Sequence, residues 1–181
     1  MSDWAPTTLG ATLAARDAAA DALITATARL GYGELLKRAQ DAAGGMHALG
    51  LRKGDHVGLL MGNDEHWITL FYAAALLGAV TVPVNTRFKA AELEYCLKQA
   101  DCKALFYAPR FLNNDYEAML AAVRPNLPKL AHAVRAGELR AAPLVPSDVK
   151  PEDLLLLQFT SGTTAYPKAG HRPTSRSGRV A

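Results

Sequence analysis

The sequence is short of most features that would mark a specialised class. Two cysteines in 181 residues, Cys96 and Cys102, are too few for a disulfide framework or a cysteine-based metal centre. They read as reduced, half-buried thiols of a cytoplasmic protein. Neither sign of charge dominates. Arg172, Arg176 and Arg179 supply the whole net charge of +3, and the first 170 residues hold 17 basic and 17 acidic side chains. A balanced body gives no electrostatic footprint for nucleic acid. The most apolar region, Leu70 to Val84, is broken by Gly78 and Pro83 and is too short to span a bilayer. Met1-Ser2-Asp3-Trp4 lacks the basic-then-apolar pattern of a secretory leader. No internal repeat is present. Half of the residues are apolar, enough for one domain with a real core.

What is present alternates between two periods. Leu9 and Leu13 predict a short amphipathic helix over residues 7–20, followed by a strand over Ala22 to Ala26. Leu35, Leu36, Ala39, Ala42, Ala43, Met46 and Leu49 keep helical spacing from Gly31 onward, and Gly50-Leu51 is the stop signal. A strand over Val57 to Met61, a helix carrying Trp67, Leu70, Phe71, Ala74 and Leu77, and a strand over Val80 to Val84 come next. Trp67 and Phe71, one turn apart, read as packing residues rather than a ligand-stacking pair. Asn85-Thr86-Arg87-Phe88 follows a strand's carboxyl end, where ligand loops lie in open α/β sheets; the preferred reading is structural, fixing the loop that leads to the next helix. A helix over Ala90 to Ala100, a strand over Lys103 to Tyr107 and a helix over 112–124 are then expected. Residues 125–151 form a connector with one short strand near His132 to Val134. Leu154 to Leu157 is an apolar run suited to a strand buried on both faces. The alternation predicts an α/β fold, a mostly parallel sheet with helices on both faces.

The chain then runs Phe159-Thr160-Ser161-Gly162-Thr163-Thr164-Ala165-Tyr166-Pro167-Lys168. Two readings fit these residues. Most Ser/Thr/Gly runs are surface turns. A buried strand entering a small, hydroxyl-rich loop with a lysine also suits a polyanion: N–H and O–H groups point at phosphate oxygens, glycine allows close approach, and lysine adds a cation. It is not the Gly-x-x-x-x-Gly-Lys-Ser/Thr loop, because no glycine precedes Lys168 and no hydroxyl follows it.

The run resembles the phosphate-binding signature Thr-Ser-Gly-Thr-Thr-Gly-x-Pro-Lys-Gly of the adenylate-forming (AMP-binding) superfamily, which includes acyl-CoA synthetases, luciferases and peptide-synthetase adenylation domains. Eight of ten positions match, and Ala165 and Ala169 stand where that signature has glycine. Val82-Pro83-Val84-Asn85-Thr86-Arg87, the Glu92-Leu93-Glu94-Tyr95-Cys96-Leu97 helix and Ala104-Leu105-Phe106 extend the likeness, which covers Gly31 to Lys168. The resemblance implies an acid–thiol ligase of the acyl-CoA synthetase kind, linked to fatty acid metabolism. Such an enzyme uses ATP with magnesium to turn a small carboxylic acid into an acyl-adenylate, then passes the acyl group to CoA. Thr160, Ser161, Thr163 and Thr164 would donate to phosphate, Gly162 would admit it closely, and Lys168 would neutralise it.

That family's Tyr-Gly-x-Thr-Glu motif, its ribose-binding Asp and its C-terminal domain do not occur in these residues. Residues 1–168 therefore read as the N-terminal portion of an AMP-binding domain, inactive alone. A non-catalytic phosphate-, nucleotide- or partner-binding module is the alternative. In the family a helix is expected after the loop, whereas residues 169–181 read as a basic tail, either frameshifted or natural. A sheet edge left uncovered at the Leu154 strand predicts self-association.

Overall fold

The computed structural model describes residues 6–25, 28–160 and 168–173. In chain order the elements are α1 (Leu9–Ala14), β1 (Asp21–Ile24), β2 (Arg29–Gly31), α2 (Tyr32–Ala48), β3 (His56–Leu60), α3 (Glu65–Leu77) and β4 (Val80–Pro83). They continue with α4 (Ala90–Gln99), β5 (Ala104–Tyr107), β6 (Arg110–Phe111), β7 (Asn114–Asp115), α5 (Tyr116–Val123), β8 (His132–Arg135), β9 (Leu154–Thr160) and β10 (Lys168–Pro173). The central sheet has the order β10-β9-β4-β3-β5-β8. Five of its strands are parallel, and β10 runs antiparallel to β9.

The expected α/β class holds because α2, α3, α4 and α5 each bring one apolar stripe to this sheet. On one face Ala43 and Met46 of α2 and Leu70, Ala74 and Leu77 of α3 meet Val57, Leu59, Ala104 and Phe106. On the other, Leu93, Cys96 and Leu97 of α4 and Tyr116, Leu120 and Val123 of α5 meet Val80, Val82, Leu105 and Tyr107. Each large side chain buried this way contributes about 1.5–3 kcal/mol. Trp67 and Phe71 stack with centroids 5.3 Å apart and pack against the first cluster, as expected of core residues. Cys96 and Cys102 are free and wholly buried, not half-buried as the sequence suggested, because α4 and the turn that follows it lay them in the core cluster on that face of the sheet.

Three helix-to-strand transitions use one device. After α2, Gly50 takes φ +84° while the Leu51 N–H reaches the Met46 carbonyl at 3.1 Å and the Gly50 N–H the His47 carbonyl at 2.9 Å. Gly78 (φ +77°) repeats this after α3, with Ala79 donating to Ala74. After α4 the left-handed position is Asp101 (φ +50°), with Cys102 donating to Leu97. Aspartate tolerates this region better than other L-residues, and glycine occupies it without steric cost. A β-carbon on Gly50 would meet no atom within 4 Å, so only its backbone resists substitution. Gly50→Ala is expected to lower the unfolding free energy by about 1 kcal/mol, and Asp101→Gly to change it by less than about 0.5 kcal/mol. Urea titration of both variants checks this, and a neutral Gly50→Ala would overturn it.

Three expected elements differ. The first helix stops at Ala14 because the Asp17 carboxylate accepts the Ala19 N–H at 3.0 Å and turns the chain. The helix expected over 112–124 starts only at Tyr116. Before it, β6 and β7 form a hairpin around Leu112, whose φ is +52°, and Asp115 caps the helix by accepting the Ala118 N–H at 3.0 Å. Among the described side chains of β9 only Leu157 is fully buried, while Leu154, Leu155 and Leu156 are half-buried. The strand stands at the margin of the helical layers, with its outer side taken by β10. It is therefore not the sheet edge, and residues 168–173 form a strand that reaches into the stretch read as a basic tail.

The connector is an ordered strap. It crosses α2 where Gly44 and Gly45 leave no room: a β-carbon on Gly44 would sit 2.0 Å from the Ala142 carbonyl oxygen, and one on Gly45 2.3 Å from that of Arg140. Ala142 donates to the Asp41 carbonyl at 3.1 Å, Ser147 Oγ to the Leu77 carbonyl at 2.9 Å, and Lys53 Nζ to the Asp148 carbonyl at 2.5 Å. Lys53 also pairs with Asp153 at 2.5 Å, which fixes the chain as it enters β9.

Candidate functional site

Of the signature residues, Thr160, Lys168 and Ala169 sit on the paired strands β9 and β10. Cα pairing runs from Leu154↔Pro173 to Thr160↔Lys168, so the two ends of the loop face each other across one ladder. Thr160 and Lys168 are thus placed opposite one another at the carboxyl end of β9. Ser161, Gly162, Thr163 and Thr164 lie outside the described residues, as does Ala165. Ala169, standing for the signature's last glycine, pairs with Phe159 in the extended ladder, where any residue fits. The loss of glycine there imposes no left-handed strain.

β9 lies parallel to β4, with Thr81 opposite Leu156. The carboxyl ends of β9, β4, β3, β5 and β8 therefore share one edge of the sheet, where ligands of open α/β sheets bind. The loop after β4 belongs to this edge. Asn85 Oδ1 accepts the Arg87 N–H at 2.9 Å, and the Asn85 carbonyl accepts the Phe88 N–H at 3.0 Å. The Thr86 carbonyl accepts Asn114 Nδ2–H at 2.8 Å and the hydroxyl of buried Tyr116 at 2.7 Å. Asn85 thus holds the geometry of this loop, while Arg87 contributes its backbone N–H and its side chain is exposed.

Sequence reasoning missed the β6–β7 hairpin that supports this edge. Its Phe111 ring lies over Gly62, just after β3, and its Asn114 holds the loop after β4. Asn113-Asn114-Asp115, a run of turn formers, was the available signal. Beside it, Tyr107 Oη donates to Glu117 at 3.1 Å, and Arg135 Nε donates to the same carboxylate at 3.0 Å. The Arg135 guanidinium holds the Glu117 carboxyl below its ordinary pKa, whereas burial pushes the Tyr107 phenol up. Among the described residues no three His, Cys, Asp or Glu side chains gather as a metal site, and no helix is long and apolar enough to cross a membrane.

Known proteins match this arrangement. The sequence model of the AMP-binding enzyme family covers residues 11–171. An acyl-CoA ligase of Ajellomyces capsulatus, SID4, is 34% identical over 178 residues, covering 85% of this chain and 30% of that protein. The Mycobacterium tuberculosis long-chain-fatty-acid–CoA ligase FadD13 (strain H37Rv) is 36% identical over 149 residues, covering 77% and 29%. The crystal structure of the anthranilate CoA ligase AuaEII with anthranoyl-AMP superposes with a TM-score of 0.83 at 26% identity, over 96% of this chain and 35% of that one. The N-terminal domain of FACL13 from Mycobacterium tuberculosis gives a TM-score of 0.80 at 28% identity, over 93% and 44%. The chain thus spans under a third of the length of these curated relatives. With a family match over most of its length and relatives that share both sequence and topology, this chain belongs to the AMP-binding enzyme family.

Proposed function

We propose that these residues form the nucleotide-phosphate part of an ATP-dependent acid–thiol ligase of the acyl-CoA synthetase type. The observation that carries this reading is the hairpin that sets Thr160 opposite Lys168 at the carboxyl edge of the parallel sheet. In the proposed reaction a carboxylate oxygen of the acid bonds to the α-phosphorus of ATP. The bond from that phosphorus to the bridging oxygen breaks, and pyrophosphate leaves. The thiol sulfur of CoA then bonds to the acyl carbon, losing its proton, and AMP departs. The work assigned to Thr160, Ser161, Gly162, Thr163, Thr164 and Lys168 is to hold and neutralise the departing phosphates, since such transfers depend on positioning and charge stabilisation. Magnesium fits as an ion carried on phosphate oxygens and water rather than in a protein cage.

Fatty or aromatic acids are the substrate classes named for the relatives above, and a carboxylic acid of that kind is assigned here on that likeness. A cytoplasmic location goes with the same reading. Turnover by the 181 residues alone is not expected, because they span under a third of those ligases. Binding is expected. Titration with ATP should show a saturable site that weakens about 10- to 100-fold in Lys168→Ala, the size of a lost charge-assisted phosphate contact. Circular dichroism should confirm an unchanged fold. Equal binding by the two proteins, or none by either, would sink the reading.

A further inference from the structure

We propose that the chain carries a second small-molecule site, a pocket for an apolar monocarboxylate of benzoate size, at the amino edge of the sheet. It is built where two turns meet. After α4 the Asp101 and Cys102 N–H groups donate to the Lys98 and Leu97 carbonyls at 3.1 and 3.0 Å, and the chain enters β5. After α5 the Leu127 N–H donates to the Arg124 carbonyl at 3.0 Å and the Leu130 N–H to the Leu127 carbonyl at 3.1 Å, and the chain enters β8. The Ala131 N–H then donates to the Lys103 carbonyl at 2.9 Å, which ties the second turn to the start of β5. Both turns precede parallel strands, so the pocket lies at their amino ends, at the edge opposite Thr160. It shares no residue with β9 or β10, and the proposal stands apart from the phosphate reading.

The two turns leave a space of about 150 Å³ between them. Its floor is Leu97, Cys102, Leu127 and Leu130, all buried members of one core cluster. Burial pushes the Cys102 thiol up, so the floor carries no charge at neutral pH. An apolar cavity of about this size takes up a benzene-sized molecule. The mouth is different. Lys98, Asp101, Pro128 and Lys129 line it and are exposed. Lys129 Nζ is engaged by Asp101 at 2.8 Å, and neighbouring Lys103 by Asp55 at 2.7 Å. Glu94, one turn before Lys98 on α4, accepts the Asn126 Nδ2–H at 3.0 Å. That leaves Lys98 as the rim cation without an ion pair among the described residues. The bare carbonyls of a helix end repel an anion, but here the last ones already accept from Asp101 and Cys102. An apolar floor under one unpaired ammonium suits a ligand with an apolar body and a single carboxylate, the few polar groups of such pockets fixing its orientation.

The test is a titration of the isotope-labelled chain with benzoate and with uncharged benzyl alcohol, followed by amide NMR. Benzoate is expected to saturate with a Kd on the order of a millimolar, with the shifts concentrated at residues 97–103 and 127–131. Lys98→Ala should weaken benzoate about threefold, the size of one exposed ion pair, and leave benzyl alcohol unchanged. Lys98→Arg should keep benzoate binding. Leu127→Phe, which puts a ring into the space, should abolish binding of both; should it fail to fold, the Lys98 variants decide, since that side chain is exposed. Absence of a saturable shift, or shifts centred elsewhere, would overturn the site. Equal effects of Lys98→Ala on benzoate and benzyl alcohol would overturn the carboxylate class. ATP binding by Lys98→Ala should match the wild type, which keeps this result distinct from that of Lys168→Ala.

Discussion

Gly44→Ala is expected to lower the unfolding free energy by about 3 kcal/mol or more, although alanine favours a helix over glycine by about 1 kcal/mol. The added β-carbon would lie 2.0 Å from the Ala142 carbonyl oxygen and 2.4 Å from that of Pro143. Both obstacles are backbone atoms, so no rotamer change removes them. The helix cannot retreat, because Ala43 and Met46 are wholly buried against the sheet side. Nor can the strap lift freely, since Ser147 is tied to Leu77 and Lys53 to Asp148 and Asp153. Steric conflict therefore outweighs propensity. Urea denaturation of the variant is the measurement, and a midpoint equal to or above that of the wild type would show that the strap yields.

A comparable loss is expected from alkali. Burial pushes the Cys96 thiol up to about 12 and raises Cys102 as well, with the nearby Cys96 adding to the effect. The folded state keeps both protons at pH values where the unfolded chain, with ordinary thiols near 8.5–9, gives them up. The stabilisation is complete below that ordinary value and is lost as pH rises toward the folded value. Above about pH 9 each thiol should remove about 1.4 kcal/mol of stability per pH unit, or about 3 kcal/mol for the two together. The phenols of Tyr72, Tyr107 and Tyr116 are also raised by burial, so the slope is best read between pH 9 and 10. A Cys96→Ala/Cys102→Ala protein should be weaker at neutral pH and flatter across that interval. Parallel curves for the two proteins would refute the assignment.

The elements legible in the sequence are those whose signal is local. The stripe from Leu35 to Leu49, the Gly50-Leu51 stop and the apolar strands around Leu59 and Leu105 carry their own periodicity, and α2, β3 and β5 lie where it put them. Strand β10 carries none. Lys-Ala-Gly-His-Arg-Pro holds no strong strand former and extends only because β9 supplies its ladder. The strap was equally hidden. Two adjacent glycines inside a helix weaken it locally, and their reason lies in Arg140, Ala142 and Pro143, far along the chain. Of the proposed site, the hydroxyl-rich stretch stands out in the sequence because its chemistry is compressed into ten residues. The support from Asn114 and Tyr116 was not, since it depends on a hairpin meeting a loop that precedes it by nearly thirty positions.

The sheet order carries a consequence for assembly. β4, β3, β5 and β8 all come from residues 56–135 and pair among themselves, whereas β9 pairs with β4 at Thr81↔Leu156 from a distant part of the chain. Closing that long interval costs chain entropy before any contact returns it, so pairing of this kind is slow. Chains also tend to fold from the amino end as they emerge from the ribosome. The strands β4, β3, β5 and β8 are therefore expected to pair first, and β9 and β10 to dock last. A nascent chain would hold a native-like core before β9 and β10 dock, which separates the folding of the core from the completion of the sheet.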